Sequence, residues 1–313
     1  MATLGGLALP GCGAQEIVLD TTSPTAFVAS AAKGDAAAVN RFFAAGMSPD
    51  IRDDSGNSPL LAAASSGQLE MVQLLLSQGA DANIAKPKDG WSPLLAAAQA
   101  GHTNVIEALV AHGADVNAAT PDLFTPLMAA AKSGHEGTLR TLLGSGATVN
   151  TTNADGWSAL MAALESNAPG VVAALLDAGA DVKASMTDGW TPLMAASRAG
   201  NAVTVTALID AGADVNARNK DGWTALMAAP EGGSADVASA LLAQKADVNA
   251  ASNDGWTPLM GAADKGRPDI ARVLLDNGAR VNAVNHQRRD ALTYAEKGQH
   301  ADIVALLKKS GAK

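Results

Sequence analysis

"DGWTPLMAA", Asp188 to Ala196, and "GADVNA", Gly212 to Ala217, decide how this chain folds. The Asp-Gly pair supplies turn chemistry, because glycine takes the positive φ of a tight hairpin without steric cost. Thr191 stands where a helix N-cap belongs, and Pro192 follows at the first helical position. A capping hydroxyl accepts from an orphan first-turn amide, and a proline there gives up an amide that had no partner. Small and apolar residues then continue a short inner helix of about nine residues, closed by Gly200. An outer helix follows, ends at Gly212, and leads by a loop to the next turn.

Working outward, the same stretch recurs in phase. Leu94, Leu127, Leu160, Leu193, Leu226, Leu259 and Leu292 are each 33 residues apart, and Leu60 and Phe27 extend the column backward. A second column reads Gly46, Gly79, Gly113, Gly146, Gly179, Gly212, Lys245, Gly278 and Gly311. Nine units on one beat predict a stacked array in which each unit buries its apolar face only against its neighbours. At about 10 Å per unit the array is on the order of 90 Å long.

The two quoted stretches closely resemble the signatures of the ankyrin repeat, whose period is 33 and whose core reads T-P-L-H-x-A. The resemblance covers roughly residues 22 to 313. It implies an all-α solenoid of about nine helix-turn-helix repeats with hairpin-like β-turn fingers. It also implies a protein-interaction module, not an enzyme, with no cofactor. Residues 1–21 carry no repeat signal and are set apart as a tail or truncated signal segment.

The bulk numbers agree. Of 313 residues, 22 are Lys or Arg and 31 Asp or Glu, a net charge of −9 that argues against a nucleic-acid partner. No apolar run reaches the length of a membrane span. A monomer is the default expectation.

Several positions depart from the family pattern. Where the family places His after Leu, this chain has Val28, Leu61, Leu95, Met128, Met161, Met194, Met227, Met260 and Thr293. Methionine offers soft apolar packing, which puts a hydrogen-bond ladder through that slot in doubt. Pro230 falls inside the seventh inner helix, at a cost of roughly 3 kcal/mol if nothing relaxes. Gly232-Gly233 and Lys245 follow it, so that helix is expected to stop early and its repeat to be the local weak point. The ends are modified as caps: Phe27, Phe42 and Phe43 at one, Arg288, Arg289 and Lys308 at the other.

No catalytic or metal-ligating constellation stands out. None of the five histidines pairs with a cysteine or a second histidine at ligand spacing. The column Asp89, Asp122, Asp155, Asp188, Asp221 and Asp254 is read as turn aspartates before glycine in preference to calcium ligands. The distinctive surface feature is the finger-tip column Trp91, Phe124, Trp157, Trp190, Trp223 and Trp256. In the family this slot tends to face the groove and contact partners. Gln99, Lys132, Glu165, Arg198, Glu231 and Asp264, at the ends of inner helices, are its expected neighbours in the binding face. Tryptophan's over-representation at interface hot spots favours a recognition stripe. The competing reading is that each indole lies across the next finger and seals the turns. At the level of the whole protein, the alternative to a partner-binding groove is an envelope-tethered or structural scaffold.

"LGGLALPGCG", Leu4 to Gly13, resembles the end of a lipoprotein signal, with Cys12 as the residue that would carry lipid. No Lys or Arg precedes it and its apolar run is short. The expectation is a cytoplasmic protein, or an exported and lipid-anchored one if a longer signal lies upstream.

Overall fold

The computed structural model describes residues 20–313. The Cys12 proposal therefore lies outside the described residues. Among the described residues eighteen helices follow one another in nine inner–outer pairs. The inner layer is α1 (Pro24–Ala32), α3 (Pro59–Ser65), α5 (Pro93–Ala100), α7 (Pro126–Lys132), α9 (Ala159–Glu165), α11 (Pro192–Ala199), α13 (Ala225–Gly232), α15 (Pro258–Asp264) and α17 (Ala291–Lys297). The outer layer is α2 (Ala36–Ala44), α4 (Leu69–Ser77), α6 (Thr103–Ala111), α8 (Glu136–Gly144), α10 (Pro169–Asp177), α12 (Ala202–Asp210), α14 (Ala235–Ala243), α16 (Pro268–Asp276) and α18 (Ala301–Lys309). Each inner helix packs on the next, as do the outer helices from α4 to α18, so the core is a continuous ribbon between the layers. None of these helices is long and apolar enough to cross a membrane.

The helix starts follow the sequence grammar. The hydroxyls of Ser23, Ser58, Ser92, Thr125, Ser158, Thr191 and Thr257 each accept the third helical amide at 3.1–3.3 Å. Asp290 does the same at 2.8 Å in the last repeat. Thr224 is the exception: it makes no cap, and its buried hydroxyl has no partner. Between the pairs, fingers close by paired backbone bonds such as Met186 N to Trp190 O at 3.0 Å and Gly189 N to Met186 O at 2.8 Å. Among the described residues no strand forms, and the one isolated bridge joins Thr152 and Ser158.

Two findings depart from expectation. The seventh inner helix does not stop early: α13 runs eight residues with Pro230 inside it. Packing carries it past the proline. Gly232 lies so close to Gly200 that a Cβ on either would strike the other's backbone at 2.5–2.7 Å. The carbonyl of Pro230 is taken up by Arg267 Nε at 3.3 Å. Lys245, by contrast, pays for its slot: it ends α14 with φ 65° where the other repeats use glycine.

The second concerns the ladder. Met128, Met161, Met194, Met227 and Met260 are buried core residues. The rungs run instead through the asparagine of the GADVNA loop. Asn216 Nδ2 donates to Lys245 O at 3.1 Å and its Oδ1 accepts Asp247 N at 2.8 Å. Asn83, Asn117, Asn150, Asn249 and Asn282 repeat that clasp on the next loop. A second set of ties comes from the residue before each outer helix: His102, His135 and His300 Nε2 donate to Ser65 O, Gln99 O and Asp264 O at 3.1–3.2 Å.

Candidate partner-binding groove

Each finger sets its aromatic residue just before the capped start of an inner helix, and long side chains at the end of that helix, such as Glu165 and Arg198, reach back to the ring. The groove is the space between them. Tip aromatics from different repeats meet because the fingers are themselves joined: Thr187 N donates to Asp155 O, Lys220 N to Asp188 O and Asn253 N to Asp221 O, all at 2.8–2.9 Å.

The aromatic column is not uniform. Trp91, Phe124 and Trp157 form one stack, with centroids 6.0 and 5.9 Å apart and near-parallel rings. Trp157 is sealed, at 9% exposure, and its Nε1 donates to Glu165 Oε1 at 3.1 Å. Lys132 Nζ lies 5.7 Å from the Trp157 ring centroid. At this member a neighbouring ring, an ammonium and a carboxylate together cover the indole. Trp190 is half-buried, its ring is covered by the Arg198 guanidinium at 5.0 Å, and its buried Nε1 has no acceptor. Trp256 packs edge-on against Tyr294 at 4.7 Å.

Beyond the stack the tips part. Trp190 and Trp223 line a cup of about 440 Å³ between the sixth and seventh fingers. Five of the groove residues named from the sequence meet there: Trp190, Trp223, Glu165, Arg198 and Glu231. Asp188, Asp221, Met186, Asn219 and Ala228 complete the lining. A second cup of about 280 Å³ lies on the other side of Trp223, lined by Trp256, Asp254, His286 and Tyr294 among others. Gln99 and Lys132 are exposed at earlier repeats and do not reach either cup.

Sequence reading named the columns but missed Met186, Asn219 and Tyr294. Asn219 was legible as a turn residue; its Oδ1 accepts Asp221 N and Trp223 N at 3.0 and 2.8 Å, which fixes the tip. Two of the column aspartates hold the turn with their side chains: Asp188 Oδ1 accepts Trp190 N at 2.8 Å and Asp89 Oδ1 accepts Trp91 N at 3.0 Å. Among the described residues no three metal-binding side chains gather.

The sequence profile of the family described as ankyrin repeats, in three copies, matches seven overlapping windows running from residues 7–86 to residues 251–313. The crystal structure of the human ASB11 ankyrin repeat domain is similar, with a TM-score of 0.63 and 27% identity over 70% of this chain and 97% of that one. The comparison with curated proteins finds no match.

Proposed function

The chain belongs to the ankyrin repeat family, a class of protein-interaction modules that typically carry no catalysis, and we propose that it binds a protein partner in the groove between its finger tips and inner helices. The array of residues 22–313 acts as one binding unit in this reading. The observation that carries it is the pair of cups flanking Trp223. They are built by consecutive repeats and lined by half-buried indoles with charged groups at the rim. Concave, partly apolar sites with a few placed polar groups are where proteins take up ligand side chains. Tryptophan at the centre of such a site is the usual source of binding energy.

The test is photo-crosslinking in the native host. A crosslinking residue at Arg198 faces the groove, and one at Glu107 sits exposed on outer helix α6. The proposal expects a discrete protein adduct from position 198 and none from position 107. Adducts from position 107 alone would overturn it.

A further inference from the structure

The tip indoles differ in what covers them. Trp157 has Lys132 over its ring, and Trp190 has Arg198 over its own. Both cations come from the same slot, the end of an inner helix. At Trp223 the pattern changes. The helix-end residue of its own repeat is Glu231, and Arg198, one repeat back, is spent on Trp190. Among the described residues no Lys or Arg lies over the Trp223 ring. Among the described residues Trp157 and Trp190 thus each carry a cation over the ring, whereas Trp223, which like Trp157 has a carboxylate at the end of its own inner helix, carries none.

The charge of the cup points the same way. Glu165, Asp188, Asp221 and Glu231 line it against the single guanidinium of Arg198. Lys265 approaches Glu231 at 3.5 Å, but that pair is exposed on both sides, at 45% and 43%, and is weakly held. Glu165 spends one oxygen on Trp157 and Asp188 spends one on the Trp190 amide. Among the described residues the Asp221 carboxylate and the second oxygens of Glu165, Asp188 and Glu231 make no hydrogen bond or ion pair. A cation over an indole face is attracted by the ring quadrupole, more so where water is displaced, and a facing carboxylate adds to it.

We propose that the cup between the Trp190 and Trp223 finger tips receives a lysine or arginine side chain of the partner, which is a basic, extended protein segment. The inference rests on the groove being the binding site. It further names the chemistry of what enters. The tip aspartates recur once per repeat, about 10 Å apart. That is roughly three residues of chain in the extended polyproline II form, at about 3.1 Å each and with every third side chain on the same side. A segment lying along the tips therefore presents basic residues about three apart, with the next one beside Asp254 in the second cup.

The experiment is selection of a phage-displayed random peptide library on the intact protein. The selected peptides are then measured by fluorescence titration against Trp223→Ala, Glu231→Gln and the outer-helix control Glu107→Gln. The expected outcome is enrichment of Lys or Arg at spaced positions. Affinity falls roughly tenfold or more, about 1.4 kcal/mol, in Trp223→Ala and in Glu231→Gln, and stays unchanged in the control. Glu231→Gln keeps the shape of the side chain, so a loss there cannot be assigned to unfolding. Peptides that lose affinity in Trp223→Ala but carry no basic enrichment would overturn the inference and leave the groove reading standing. Basic peptides weakened equally by all three variants would show attraction to net charge alone and overturn it as well. Binding insensitive to every groove substitution would overturn both readings.

Discussion

Trp157 and Trp223 occupy the same slot two repeats apart, yet they do different work. The sequence shows the slot; it does not show that Phe124, Lys132 and Glu165 converge on one indole, because that depends on side chains from two neighbouring repeats. Trp157 is sealed and hydrogen-bonded, so Trp157→Ala is expected to cost about 3 kcal/mol of stability, as buried Trp truncations do. Trp223→Ala, at a half-open cup, should cost less than about 1 kcal/mol. Urea unfolding midpoints of the two variants check this; equal losses would mean that the column is structural throughout. Lys245 is a second residue-scale case, legible as a gap in the glycine column. Its left-handed backbone costs roughly 1–2 kcal/mol for a side-chain-bearing residue. Glycine loses about 0.5–1 kcal/mol of that through unfolded-state entropy. Lys245→Gly is therefore expected to raise stability by about 0.5–1 kcal/mol, and a lower midpoint would contradict the strain.

At the scale of elements, the capped inner helices and the glycine-ended outer ones were legible because their signals are local. What was not legible was how α13 tolerates Pro230. The answer is the close Gly200–Gly232 approach, a contact between helices that no window of one repeat contains. The seventh repeat still lacks its N-cap bond and ends α14 at a strained residue. Hydrogen exchange is expected to show early opening across residues 226 to 245, and uniform protection across repeats six to eight would contradict it. The structure adds a second weak junction. In the asparagine column Lys183 stands where Asn150 and Asn216 stand in the neighbouring repeats. The groups it would clasp, Gly212 O and Asp214 N, have no such partner among the described residues. A space of about 240 Å³ lies between these loops. Lys183→Asn should restore both bonds and slow exchange of the Asp214 amide several-fold, given about 1 kcal/mol per bond. Unchanged exchange would mean that the rung does not form there.

For the whole molecule, the period alone dictated the architecture, since units that cannot bury their own apolar face must stack. The caps at each end were legible too. Phe27 stacks on Phe42 at 4.8 Å and meets Phe43 edge-on, closing the first repeat, while exposed Lys308 pairs with Glu296 at 3.1 Å in the last. The groove was legible only in outline. Its columns are written in the sequence, but the place where the stack of tips ends and a cup opens is set by rotamers and by the spacing of adjacent fingers. The central claim is that this face, and the Trp190–Trp223 region of it, binds the partner. The most direct test is the dissociation constant of a co-purifying partner for the Trp190→Ala/Trp223→Ala double variant, by calorimetry, with the unfolding midpoint measured alongside. The account predicts weakening by more than about tenfold, 1.4 kcal/mol, with the fold retained; a folded double variant that binds as tightly as the unaltered protein would contradict it.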